Sequence, residues 1–134
     1  MRIDVGAYSL WLDGQAHSRL EGGPLALLPG TATHLSPRDI EIAIDRAEEW
    51  LMTFSKSIEG LQLLVRDATG RLRISLHGKR TFAPADVEDA FERLLQRVAH
   101  GRSTNRESTA DIVLLRELVH HGSLSQVILE AGGV

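Results

Sequence analysis

A chain of 134 residues with 43% hydrophobic and 25% charged residues has the balance of one globular domain and not of a disordered tail. Fifteen basic residues against eighteen acidic ones leave a formal charge of −3, which disfavours non-specific attraction to nucleic-acid phosphate or to an anionic membrane. The absence of cysteine excludes a disulfide framework, thiol catalysis and a cysteine-held zinc or iron–sulfur site.

Met1–Leu12 reads as extended, with Tyr8, Leu10 and Leu12 alternating against Ser9 and Trp11. Asp13-Gly14 follows at once, a strong hairpin signal because both central residues of a type I′ turn need positive φ. Gln15–Leu20 is then the return strand. Glu21-Gly22-Gly23-Pro24 breaks the chain, and Leu25–Leu28 is read as a further short strand before Pro29-Gly30. Ser36 as N-cap, Pro37 at the first helical position and Asp39 three residues after the cap open a first helix. Ile40, Ile44, Ala47, Leu51 and Phe54 form its apolar stripe.

Leu61–Val65 and Leu72–Leu76, flanking Arg66–Gly70, are expected to pair as a second hairpin. A second helix runs from Ala83-Pro84 towards His100, with Val87, Ala90, Phe91, Leu94 and Val98 on one side and Gly101 as its stop. Arg102–Glu107 has no apolar residue and reads as a mobile linker. Ser108 caps a third helix with Asp111 three residues on. Ser123 and Gln126 suggest a capping box for a short fourth helix, Leu124–Ala131.

One internal correspondence stands out. Leu35–Arg46 aligns without gaps on Phe82–Arg93, and at the same offset Gly23, Leu25 and Leu27 meet Gly70, Leu72 and Ile74. Two tandem ββα units explain this register. The expected fold is therefore α+β: an antiparallel sheet of four to five strands from those units, helices on one face, and a C-terminal helical hairpin. Residues 1–101 would form the core domain. Residues 102–134 would be a polar linker and the hairpin, packed on the same domain.

The candidate chemistry is sparse. The six histidines include no pair at helical i, i+4 spacing. His120 and His121 are adjacent, point about 100° apart on a helix, and suit the negative end of the helix dipole. Pro29–His34 precedes a helix start but lacks the glycine spacing and lysine of a phosphate loop. Arg66, Arg71, Arg73, Lys79 and Arg80 crowd the second hairpin without the stacking aromatics of an RNA-binding sheet. The acidic residues Asp86, Glu88, Asp89 and Glu92 belong on a solvated helix face. No catalytic, cofactor-binding or metal-binding residue is assigned.

What remains is a surplus of apolar surface. Leu114, Leu115 and Leu118 on the third helix, with Val127 and Ile128 on the fourth, demand burial on more than one side. These five residues are the candidate partner-binding set, the partner being a second copy or another protein. A non-enzymatic interaction or accessory protein that self-associates is the leading expectation. A small-molecule binder or enzyme with a pocket between sheet and helices is the alternative. Nucleic acid is not expected as a partner. No stretch reaches the roughly 18–20 apolar residues of a membrane span, and Met1–Val5 is neither basic nor apolar, so a cytoplasmic setting is expected.

Overall fold

A computed structural model describes residues 1–5, 7–30, 34–67, 70–72 and 79–130. Strands β1 (Arg2–Asp4), β2 (Ser9–Leu12) and β3 (Gln15–Arg19) form an antiparallel meander. The β2–β3 turn is the one its residues dictate, with Asp13 at φ 51° and Gly14 at φ 77°. The extended reading of Met1–Leu12 needs one amendment. The chain reverses between Asp4 and Ser9, so two strands stand where one was expected.

Helix α1 (Pro24–Leu27) is a single turn. Helix α2 (Pro37–Leu51) follows, and a 3-10 turn (Ser55–Ile58) leads to β4 (Gln62–Arg66). Strand β5 (Thr81–Phe82) precedes helix α3 (Pro84–Ala99). Helix α4 (Arg106–His121) and strand β6 (Gln126–Leu129) complete the described elements. The sheet order is β3-β2-β1-β4-β6-β5. Strand β4 runs parallel to both neighbours, β1 and β6, while β5 is antiparallel to β6.

The fold is α+β, but three finer expectations are overturned. The sheet is mixed and six-stranded, not antiparallel with four to five strands. Leu25–Leu27 lies in a helical turn, and Arg71 and Leu72 are helical as well, so the first unit lacks its expected second strand and that of the second does not begin at Leu72. The rest of the proposed Leu72–Leu76 strand lies outside the described residues. The C-terminal helical hairpin does not form, because its second arm is strand β6. Val127 and Leu129 are buried while Gln126 and Ile128 are half-exposed, a period of two that a strand satisfies and a helix does not. Residues beyond 101 therefore supply a strand inserted between β4 and β5.

The core lies on one face of the sheet. Ile3, Leu10, Leu63, Val65, Phe82, Val127 and Leu129 all point there and are buried. Every residue of helix α4 from Ala110 through Val119 except Arg116 is buried, with α1, α2 and α3 packed against the helix. Its start is earlier than Ser108. Asn105 is the N-cap, and its side chain accepts from the Ser108 amide at 2.8 Å. The expected linker is thus partly helix. It is also held by Arg97, which donates to the Ser103 carbonyl at 3.1 Å. Gly122 ends α4 against Ile58, where an added Cβ would stand 2.8 Å from the Ile58 side chain.

Candidate functional site

Four of the five expected partner-binding residues point into the protein. Leu114, Leu115 and Leu118 face Ile3, Val5 and Val65 across a space of about 10 Å³, and Val127 is buried on the same side of the sheet. The apolar surplus of α4 is therefore taken up by the chain's own sheet and helices. Ile128 alone stands on the opposite face, half-exposed.

That opposite face carries aligned rows of side chains across the sheet. The strand registers align Trp11, Arg2, Leu64, Ile128 and Thr81 in one row across five strands. Trp11, Arg2, Leu64 and Ile128 each keep intermediate exposure. The Arg2 guanidinium lies 5.1 Å from the Trp11 ring centroid and its Nε is 3.4 Å from Asp4 Oδ1. The next row pairs Ser9, Asp4 and Arg66. At the other end Gln62 donates to Gln126 at 2.9 Å. Trp11 Nε1 is buried and has no hydrogen-bond partner among the described residues.

The basic residues expected to crowd the second hairpin are separated. Arg66 is on the open sheet face, Lys79 pairs with Asp86 at 3.0 Å, and Arg71 turns inward. Arg73 lies outside the described residues. Arg71 Nε donates to Asp111 Oδ2 at 3.0 Å, and its Nη1 to Glu107 at 2.9 Å. Asp111, expected three residues after a Ser108 cap, is buried, and its Oδ1 accepts from the Tyr8 hydroxyl at 2.6 Å. Asp67, also buried, accepts from the amides of Gly70 and Leu72 at 3.1 and 2.9 Å.

The electrostatics of this cluster are those of a buried network. Burial pushes the Asp111 carboxyl above its usual range, while hydrogen bonds from Arg71 and Tyr8 pull it back in part. Burial opposes the Arg71 charge, but its bonds to Asp111 and the nearby carboxylates raise its pKa overall. Burial and then the Asp111 charge drive the Tyr8 phenol far above its ordinary value, so it serves as a neutral donor. The adjoining space of about 10 Å³ holds one water at most. This cluster organises the interior and has no room for a substrate. One signal for it was present in the sequence: Asp111 sits between Ala110 and Ile112 in an otherwise apolar run.

Two broader clefts lie on the surface. One, of about 420 Å³, lies between the start of α3 and the end of α4 near Glu88, Arg116 and His120. The other, of about 370 Å³, lies beside Leu25 and Asn105. No helix among the described residues is long and apolar enough to cross a membrane. No protein-family model matches the chain, and no curated protein is significantly similar to it.

Proposed function

We propose that the protein works by association and not by catalysis, with a second copy of the chain packing on the open sheet face to form a two-fold dimer in the cytoplasm. The observation that carries this reading is the row Trp11–Arg2–Leu64–Ile128. It sets two aliphatic side chains beside an aromatic and an arginine, the two types enriched at protein interfaces. The same face bears both signs of charge, with Arg2 and Arg66 beside Asp4. A two-fold arrangement can set the cation of one copy opposite the carboxylate of the other. The five-residue partner set is thereby narrowed to Ile128.

The competing pocket reading has less support, because the space between α4 and the sheet amounts to about 10 Å³. Nucleic acid has no part in this proposal, since the net charge is −3 and the arginines of the open sheet face stand beside Asp4.

Light scattering on the eluting protein tests it. A mass near twice the 14.7 kDa chain mass is expected, falling to one chain mass in Leu64→Asp and Ile128→Asp variants whose circular dichroism is unchanged. A monomeric wild type, or a dimer that persists in both folded variants, overturns the proposal.

A further inference from the structure

Helices α2 and α4 pack together with three ligand-type side chains at their contact. Glu117 and His121 are one turn apart on α4 and project from the same face. Glu48 reaches them from α2. His121 Nε2 is 3.1 Å from Glu117 Oε2 and 3.3 Å from Glu48 Oε1. The three ligand atoms all lie within 4.8 Å of one another.

The informative group is Glu117. Its side chain is fully buried, a rare condition for a glutamate without full satisfaction of its oxygens. Oε1 accepts from Arg116 Nη1 at 2.9 Å. Oε2 is buried and has no hydrogen-bond partner among the described residues. A single Nε2–H on His121 cannot serve two carboxylates at once, and the contact of Nε2 with hydrogen-bond geometry is the one to Glu48 at 3.3 Å. A buried carboxylate oxygen is thus left aimed at His121 and Glu48 with its lone pairs unfilled, which an ion pair on its own does not remedy.

We propose that Glu48, Glu117 and His121 bind a divalent transition cation of the Zn²⁺ type. Ligands held about 2.0–2.2 Å from a common ion stand roughly 3.0 Å apart at right angles and roughly 3.4 Å apart at tetrahedral angles. The observed 3.1 and 3.3 Å fall in that range. One imidazole with two carboxylates suits Zn²⁺, Mn²⁺ or Fe²⁺, whereas Mg²⁺ and Ca²⁺ favour oxygen alone. Glu48 and His121 are 41% and 37% exposed, so an ion can enter from solvent and water can complete its coordination.

The surroundings hold the buried ligand in place. Arg116 grips Glu117 Oε1 and is itself held by Glu88 at 3.2 Å, with its guanidinium 4.8 Å from the Phe91 ring centroid. Arg116 is the positioning residue that fixes the carboxylate direction. A bound ion would fasten α2 to α4 one residue before Gly122, whose carbonyl accepts from the Gly60 amide at 2.9 Å. Occupancy therefore links to fold stability, because the unfolded chain has no such site.

Titration of tag-free protein with Co²⁺ near neutral pH provides the test. One ion per chain with visible ligand-field bands, displaced by Zn²⁺, is expected, together with a Zn²⁺-dependent rise in the thermal midpoint. Glu48→Gln and His121→Ala alter half-exposed side chains, so their folds should persist, and each should weaken binding by more than about tenfold. His120→Ala, the adjacent histidine, should titrate like the wild type. Absence of Co²⁺ bands, or equal binding in His121→Ala, overturns the proposal. The latter result would mark adventitious binding by surface histidines.

Discussion

Tyr8 and Asp111 show how one residue can set its surroundings. Tyr8 has a left-handed backbone, φ 49°, which a bulky side chain adopts only when its environment holds it there. The hydrogen bond to Asp111 and the full burial of the ring supply that hold. Tyr8→Phe should cost about 1–3 kcal/mol by removing the shorter of the two hydrogen bonds to Asp111 Oδ1, which keeps only Arg71 Nη2 at 3.3 Å. Arg71→Met should cost about 3–5 kcal/mol, because it strands the Asp111 carboxylate. The pH dependence follows from Asp111, whose folded pKa is raised chiefly by burial. A raised carboxyl contributes stability that is present below the unfolded value, about 3.9, and is lost as pH rises through the folded value. Removing Arg71 raises that folded value further. Urea midpoints of wild type and Arg71→Met should therefore lie closest near pH 4 and diverge towards neutrality. A gap that is constant or shrinks with pH would show that Arg71 does not neutralise Asp111.

At the scale of elements, helices α2 and α3 begin alike. The Ser36 and Ala83 amides each donate at 2.8 Å to the aspartate three residues on, Asp39 and Asp86. Those amide hydrogen bonds are the first cause of the lowered pKa of both carboxyls. Ser36 adds a hydroxyl that accepts from the Asp39 amide at 3.2 Å, whereas Ala83 has no side-chain oxygen on a backbone of nearly the same conformation. Ala83→Ser should consequently stabilise the protein by about 0.5–1 kcal/mol, and Ser36→Ala should cost about 1 kcal/mol. Thermal midpoints would register both, and a destabilising Ala83→Ser would show that the two helix starts are not equivalent. These helices were legible in sequence because cap, proline and stripe agree; all five stripe residues of α3 are buried. The strands were less so. Leu25–Leu28 offered a short apolar run that suits a helical turn as well as a strand. Gln126–Leu129 followed a capping-box pattern whose local preference was outweighed by pairing with β4 and β5. The partner-binding set failed to surface as a patch for a related reason. Periodicity reports that α4 needs burial on several sides, but not whether the covering surface comes from the same chain. The Glu117–His121 spacing was visible in sequence, yet Glu48 joins it only through the packing of α2 on α4.

At the scale of the whole molecule, the order β3-β2-β1-β4-β6-β5 makes the last described strand an interior one. The similarity between Leu35–Arg46 and Phe82–Arg93 does not extend to topology. At the same offset, β3 is an antiparallel edge strand, while β4 is an interior strand parallel to both neighbours. Chemistry favourable to helix starts accounts for the shared residues without equivalent surroundings. The consequence concerns the C-terminal segment. Strand β6 separates β4 from β5, and Val127 and Leu129 close the core beneath them. The backbone also ties β6 in from both sides, Leu129 donating to the Arg80 carbonyl at 2.7 Å and Glu130 to Val65 at 2.9 Å. A chain ending at Gly122 would lose one strand from the interior of the sheet and expose both neighbouring edges. It should fail to unfold cooperatively, lose the amide protection of β4 and aggregate. An appended helical hairpin would instead leave residues 1–122 with most of their stability, because helix–helix packing at the margin does not complete a sheet. Hydrogen exchange on the shortened chain distinguishes the two: persistent protection at Leu63 and Val65 would mean that β4 and β1 are self-sufficient, and that β6 is an addition to the fold and not part of its frame.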